Sequence, residues 1–509
     1  MNVILAISDT FRYDNLSCYG PTKVKTPNLD KLAKESHVFN NAYLGSFPTV
    51  PNRQDIMSGR FNFIDHEWCP LPPETVTLQQ ILSASGIVTQ MIVDNPHLIE
   101  NGFNCERGFD GWEWIRGQET DHWKTLPRDV KIPASPSKLR DVESTVPNYL
   151  RNTSWWQSEE DRFAARSVNE ACKWLEKQDA ENFFLYLDLF DPHEPWDAPK
   201  KYLDLYEKDY KGQEVMYPFY DHWKNFLTKE ELDHMRAQYM AECTMVDHWI
   251  GVLRDKIEKL GLDDDTAFIF TSDHGFFFGE HGCLGKAFHI DKMYFEACRM
   301  YDVIRRIPLM IHLPGQKKGK QIDALVQPPD LMPTILELSG LVASECIEGS
   351  TKIQALQCGT FYTKDWQFKP EDIHGKSLMP LVRGETDRLR DIAVCSNTII
   401  HHTPIVAKCA VVTEEGWCLH YAGDYTDEVQ EGIIVNTQAI KSEPMREKIE
   451  PSLYYIPDDP GEENDLIQKN GELANKIHQR YVKWLEEVGT PEEHIAGRRK
   501  LGLKGEAGK

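Results

Sequence analysis

No apolar run in the sequence approaches the roughly 18 residues that a membrane-crossing helix needs, so no span is expected. The twelve cysteines include no C-x-x-C pair. Scattered through a long chain, they read as reduced thiols rather than a disulfide framework or a zinc knot. Positive charge is scarce, with 57 Lys and Arg against 80 Asp and Glu and a net charge of −23. That balance argues against nucleic acid and anionic membranes as partners. It leaves room for a locally positive pocket that takes a small anionic ester. Internal repeats and low-complexity tracts are absent too, so a repeat architecture is not expected. The opening run Asn2-Val-Ile-Leu-Ala-Ile-Ser-Asp9 has no basic leader and no cleavage site. It reads as a buried strand and not as a signal peptide, and together with the scattered cysteines this makes the cytoplasm the expected location. Homo-oligomerisation stays open.

What is present is a chain of 509 residues, 41% hydrophobic and 27% charged, enough for two or three domains. Four apolar runs end in polar clusters. Val3 to Ile7 ends at Asp9, and Ile87 to Val93 at Asp94, Asn95 and His97. Asn182 to Phe190 ends at Asp191-Pro-His193, and Ala267 to Thr271 at Asp273-His274. Helical patterns lie between them: Thr26 to Glu35 with Thr26 as its cap, Thr77 to Ala84, Phe163 to Gln178 and Glu230 to Leu260. Strand–helix alternation with polar groups at strand ends predicts an α/β fold, a doubly wound, mostly parallel sheet flanked by helices. Residues 112–157 read as an irregular, Trp- and Pro-rich lid or excursion, and 342–372 as a loop-rich insertion. From about Asp391 the texture changes to short spaced strands, including 405–407, followed by a helical stripe through Leu473, Ile477, Tyr481, Trp484 and Val488. We expect a catalytic unit over 1–390 and, over 391–509, a smaller antiparallel sheet covered by a helix.

One stretch organises the chemistry. Gly45 to Arg60 sets the Thr49 hydroxyl four residues before the Arg53 guanidinium, with Pro48 and Pro51 stiffening the backbone. A helix is readable from Asn52, with Ile56 and Met57 as its buried side. A hydroxyl at a helix N-terminus beside an arginine suits attack on a tetrahedral oxyanion, and a metal could make it an alkoxide. Asp9 joined with Asp273 and His274 supplies two carboxylates and an imidazole. An all-oxygen set would point to Ca²⁺ or Mg²⁺, whereas His tilts the choice toward Mn²⁺, Zn²⁺ or Fe²⁺. Lys286 and His193 are candidates to neutralise charge or protonate a leaving group. Taken singly, they would be a surface lysine and a structural histidine.

These residues resemble the sulfatase branch of the alkaline phosphatase superfamily over nearly the whole chain. Thr49-Val-Pro-Asn-Arg53 followed by Gly59-Arg60 is similar to the signature C-x-P-S-R with its later Gly-Arg. Asp191-Pro-His-Glu-Pro-Trp196, Thr271-Ser-Asp-His-Gly275 and Gly279-Glu-His-Gly-Cys-Leu-Gly-Lys286 resemble further blocks. So do Asp330-Leu-Met-Pro-Thr334, His374-Gly-Lys-Ser-Leu-Met-Pro-Leu381 and Leu453-Tyr-Tyr-Ile-Pro-Asp-Asp-Pro-Gly-Glu462. A second frame, Ser46-Phe-Pro-Thr-Val50, puts Val50 in the arginine position, so spacing favours Thr49.

The departures from the pattern carry the functional expectation. Sulfatases convert the signature Cys or Ser to formylglycine. Thr49 cannot yield that aldehyde, because its Cβ carries a methyl group. Thr10 replaces the second Asp of the usual pair, and His274 stands where many sulfatases have Asn. The resemblance therefore implies a metal-dependent hydrolase of phosphate diesters or phosphonate monoesters with Thr49 as nucleophile and metal ligand. The divalent ion would be Mn²⁺ or Zn²⁺ first, with Fe²⁺ or Ca²⁺ as further candidates, and no formylglycine. Arg53 would position Thr49, while Asn95, His97 and Thr10 would contact substrate. Competing readings are a sulfatase working without formylglycine, a phosphotransferase and a non-catalytic binding protein.

Overall fold

The computed structural model describes residues 1–289, 295–341, 347–354, 361–399, 409–422 and 450–503. The first apolar run becomes the interior of an eight-stranded sheet. Its strands are β1 (Asn2–Ser8), β2 (His37–Ala42), β3 (Val88–Val93), β4 (Gly111–Trp114), β5 (Phe183–Leu189), β6 (Thr266–Thr271), β7 (Leu309–His312) and β8 (Lys320–Val326). Their spatial order is β8-β2-β7-β6-β1-β5-β3-β4. Every neighbouring pair is parallel except those of β7, which is antiparallel to both β2 and β6. The sheet is thus mostly parallel, with one reversed strand. β1 and β5 are buried at every position because helices cover both faces, which is why their sequences run apolar without alternation. The two faces divide the β1 side chains: Val3, Leu5 and Ile7 enter one core and Ile4 and Ala6 the other.

One core is covered by α1 (Pro27–Glu35), through Leu29 and Leu32, and also by α4 (Phe163–Lys177) and α5 (Lys229–Lys259). The other is covered by α2 (Thr49–Ser58), α3 (Leu78–Ala84) and α6 (Leu331–Leu338). Two local expectations need correction. α2 begins at Thr49 and not at Asn52, and all ten of its residues are buried, since the helix runs under the sheet's polar edge. Thr26 does not cap α1. Its hydroxyl bonds Asp30 Oδ1 at 3.3 Å, and the free amides of Asn28 and Leu29 go to the Asp247 carboxylate of α5 at 3.3 and 2.7 Å.

The 112–157 region is not wholly irregular: it begins in the edge strand β4 and ends in a helix over Thr145–Thr153. The 342–372 region contains an antiparallel hairpin, Ile347–Gln354 with Phe361–Phe368, where a loop-rich insertion was expected.

Toward the C-terminus, β9 (Ile392–Ser396), β10 (Cys409–Thr413), β11 (Trp417–Tyr421) and β12 (Ser452–Tyr455) form an antiparallel sheet. The strand expected at 405–407 lies outside the described residues. Helix α7 (Gly471–Glu487) packs Ile477, Tyr481 and Leu485 against Val394, Val411 and Leu419. This sheet also touches the main one at the organising stretch. Ser396 N donates to Gly45 O at 3.0 Å, and Phe47 N donates to Ser396 O at 2.9 Å. Among the described residues, no helix is long and apolar enough to cross a membrane.

Candidate active site

The strand order brings the polar clusters together. β1 lies between β5 and β6, and β3 lies beyond β5, so four parallel strands open their C-terminal ends side by side. In open α/β sheets that edge is where ligands bind. Asp9 follows β1, Asp273 and His274 follow β6, Asn95 follows β3 and His193 follows β5. Thr49, the first residue of α2, is 1% exposed and meets them there.

Asp9, Asp273 and His274 place one ligand atom each within 4.8 Å of one another, all buried. Behind them lies Arg53, with no exposed surface. Its Nε and Nη2 each donate at 3.0 Å to the two oxygens of Asp188, Nη1 donates to Asp273 Oδ2, and Nη2 lies 3.1 Å from Asp9 Oδ2. Arg53 therefore holds three carboxylates. It was expected to position Thr49, yet its guanidinium is spent on the acidic groups around the hydroxyl.

Asp188 is the partner that the sequence did not announce. It sits inside the apolar run of β5, and a carboxylate in the middle of a fully buried strand is the signal that could have found it.

One guanidinium against three buried carboxylates leaves negative charge uncompensated. Burial, and then the charge of Asp273, push the Asp9 carboxyl well above the usual carboxylate range. Burial also acts to raise Asp273, but Arg53 and Lys286 outweigh it and hold that carboxyl low. Asp9 Oδ2 is buried and, beyond its 3.1 Å approach to Arg53 Nη2, accepts no well-aligned hydrogen bond from any described residue. A carboxylate oxygen without a hydrogen-bond donor, in a net-negative cluster of oxygen and imidazole donors, fits a divalent cation.

The histidines are fixed by their backbone partners. His274 Nδ1 donates to Gly275 O at 2.9 Å and His193 Nδ1 donates to Glu194 O at 2.7 Å, which leaves both Nε2 atoms as acceptors. The Thr49 hydroxyl lies 3.4 Å from His274 Nε2. Lys286 Nζ lies 2.8 Å from His193 Nε2 and 3.2 Å from His274 Nε2. Both imidazoles stay neutral. Burial pushes His274 down to about 3 and, with Lys286, pushes His193 well below its ordinary value. Thr49, His274, Lys286 and His193 thus form one contiguous set.

The expected substrate contacts are placed differently. Thr10 gives its hydroxyl to Asp9 Oδ1 at 2.7 Å and its amide to Asp273 Oδ1 at 2.9 Å, so both of its donors serve carboxylates and none faces a substrate. His97 turns its Nε2 to Glu119 Oε2 at 2.6 Å. Burial would raise Glu119, but His97 and Arg140 hold it down at about 2. Glu119 and Arg140 come from the region expected to be a lid, and Arg140 Nη2 also reaches Glu194 at 2.8 Å. That region is therefore built into the wall of the site. Asn95 is fully buried and its Nδ2 finds no partner among the described residues. Asp191 faces the start of α4, accepting from Gln118 Nε2 at 3.1 Å and Ala164 N at 3.3 Å, and so lies apart from the metal cluster.

Comparison with known proteins places this arrangement. A family model described as Sulfatase matches residues 1–341. The chain is 27% identical over 388 residues to an arylsulfatase of Clostridium perfringens, covering 68% of this chain and 76% of that one. It is 24% identical over 428 residues to the multifunctional alkaline phosphatase superfamily protein PehA of Trinickia caryophylli, covering 72% and 78%. The phosphonate monoester hydrolase of Agrobacterium radiobacter has the same fold. It superposes with a TM-score of 0.65 at 19% identity, over 97% of this chain and 96% of that one.

Proposed function

The chain belongs to the sulfatase family and is an ester-bond hydrolase, and on that premise we propose that it cleaves phosphate diesters or phosphonate monoesters with Thr49 as nucleophile. The observation that carries this reading is the Thr49 hydroxyl, buried at the first position of α2 and 3.4 Å from His274 Nε2. Threonine cannot become formylglycine, so the hydroxyl must attack directly. A threonine ester also carries no geminal hydroxyl whose collapse could expel the transferred group. That group must leave by a second attack, by water, which favours phosphorus over sulfur.

A divalent cation held by Asp9, Asp273 and His274, with the Thr49 oxygen as a further ligand, would supply Lewis-acid polarisation of the ester and a lowered hydroxyl pKa. Two carboxylates and an imidazole favour Mn²⁺ or Zn²⁺ over Fe²⁺ or Ca²⁺. Thr49 Oγ1 gives up its proton to solvent and forms a bond to phosphorus as the bond to the leaving alkoxide breaks. Lys286, oriented by the acceptor Nε2 of His193, gives that alkoxide a proton. Water then attacks phosphorus in the threonine ester, one of its protons returns to Lys286, and Thr49 leaves as the alkoxide and takes a proton back from solvent. Arg53 keeps Asp9, Asp188 and Asp273 in register throughout. A sulfate ester is the second reading, supported by the description of the clostridial relative. The ten described cysteines form no disulfide with one another, and the cytoplasm is the proposed location.

The test is a matched panel of aryl phosphodiester, phosphonate monoester, phosphate monoester and sulfate ester, run on Mn²⁺- or Zn²⁺-loaded protein. We expect diester or phosphonate to lead and to fall at least ~10³-fold in Thr49→Ala. Sulfate as the best substrate would replace this reading with the second. Transfer to an added alcohol in place of water would make the protein a phosphotransferase.

A further inference from the structure

The C-terminal sheet reaches the catalytic centre without touching it. His274 hands its Nδ1 proton to Gly275 O, and Gly275 N donates to Ile304 O at 2.9 Å. The contact is backbone on backbone. A Cβ added at Gly275 would lie 1.7 Å from Val303 O, so no other residue lets the imidazole-bearing turn sit on the short helix Asp302–Arg305. The same helix also anchors the approach to Thr49. Leu44 N donates to Arg305 O at 2.8 Å, and Ile307 N donates to Ala42 O at 3.0 Å. One four-residue helix therefore carries both the candidate metal imidazole and the chain that leads into the nucleophile.

That helix is held from the C-terminal sheet by one carboxylate. Glu462 Oε2 accepts from Asp302 N at 2.6 Å and from Arg305 Nη1 at 2.7 Å. Its Oε1 lies 2.9 Å from Arg305 Nη1 and from His420 Nε2 on β11. Glu462 is 2% exposed and Arg305 fully buried. Cys418, His420 and Glu462 lie close enough together to hold an ion. The guanidinium already on Glu462 supplies the positive charge there, so the cluster acts as a brace and not as a second metal centre.

We propose that Glu462 is a positioning residue for the active site: by fixing the Asp302–Arg305 helix it sets the orientation of His274 and the path of the chain into Thr49. This rests on the reading of Asp9, Asp273 and His274 as the metal site, and the experiment separates the two. Hydrogen exchange is measured on metal-free parent, Glu462→Gln, Glu462→Asp and Ile477→Ala. The last is a core truncation under α7 that loosens the C-terminal sheet without touching the brace. Metal affinity is then measured by chelator competition.

In Glu462→Gln, exchange at Leu44 and Gly275 should speed up about ten-fold or more relative to β1 and β5, and metal affinity should fall about 10–100-fold. Glu462→Asp, with the charge kept but withdrawn by one methylene, should fall between this variant and the parent, and it serves as the test if the glutamine variant does not fold. Ile477→Ala should lower thermal stability and leave both readouts at parent values. Parent-like exchange at Leu44 and Gly275 in both Glu462 variants would overturn the proposal, as would an equal effect in Ile477→Ala. A parent protein that binds no divalent metal would overturn the metal reading alone, because exchange still judges the brace.

Discussion

Two buried arginines divide the molecule by purpose. Arg53 and Arg305 are both fully buried and both hold carboxylates. Around Arg305 the charges balance: Arg305 and Arg306 face Glu462 and Asp302, and burial keeps His420 neutral by lowering its pKa. Around Arg53 they do not, since one guanidinium faces Asp9, Asp188 and Asp273. Desolvating like charges is costly, so a balanced cluster is a joint and an unbalanced one suits a further positive charge. The same residue type, equally buried, marks structure in one place and chemistry in the other.

The comparison can be broken most severely by removing each arginine. Arg53→Ala and Arg305→Ala should each cost about 3–5 kcal/mol in urea unfolding, the usual penalty for orphaning buried partners. When Mn²⁺ or Zn²⁺ is added to parent and variants alike, only the Arg53 variant should gain more than the parent does and so recover part of its loss. Equal recovery in both, or in neither, would erase the distinction. A smaller effect is expected on the intact protein. A divalent ion at 100 times its Kd should stabilise by about 2.7 kcal/mol, read as a rise in Tm that a chelator reverses and Asp273→Asn abolishes. The smallest effect concerns acid. Burial tends to raise Glu462, but Arg305 and His420 outweigh it and hold it at about 2, below its ordinary 4.5. The native state thus binds that proton less readily than the unfolded chain does. The stability it contributes is complete above pH 4.5 and drains away as pH falls toward 2. Glu462→Gln should flatten that limb of the stability–pH curve and leave the neutral region parallel to the parent.

Local pattern carried much of the architecture. Apolar runs ending in Asp9, Asn95, His193 and Asp273 are strands of one sheet because burial on both faces demands unbroken hydrophobicity. Thr49, His274, Lys286 and His193 were each visible as residue types at strand or helix ends. What stayed hidden depends on partners far along the chain. Asp247 caps α1 from across more than 200 residues, and Thr26 looked sufficient only because its distant competitor was unseen. Asp188 was masked by its apolar neighbours. His97 looked free for substrate until the fold brought Glu119 to it. The hairpin at 347–368 was missed because polar residues and Gly349 interrupt its runs.

The position of β1 has a consequence for synthesis. β1 is made before both of its neighbours, β5 and β6, and its second edge stays open until Thr266–Thr271 is translated. At about 5–20 residues per second, that interval is on the order of 10–50 s. Until Phe183–Leu189 is made both edges of this buried strand are unpaired, and one edge stays so until Thr266–Thr271 follows. The strand that ends in Asp9 is therefore enclosed long after it is made, β2 waits longer still for Leu309–His312 and Lys320–Val326, and the nascent chain needs shelter long before it has a centre to protect.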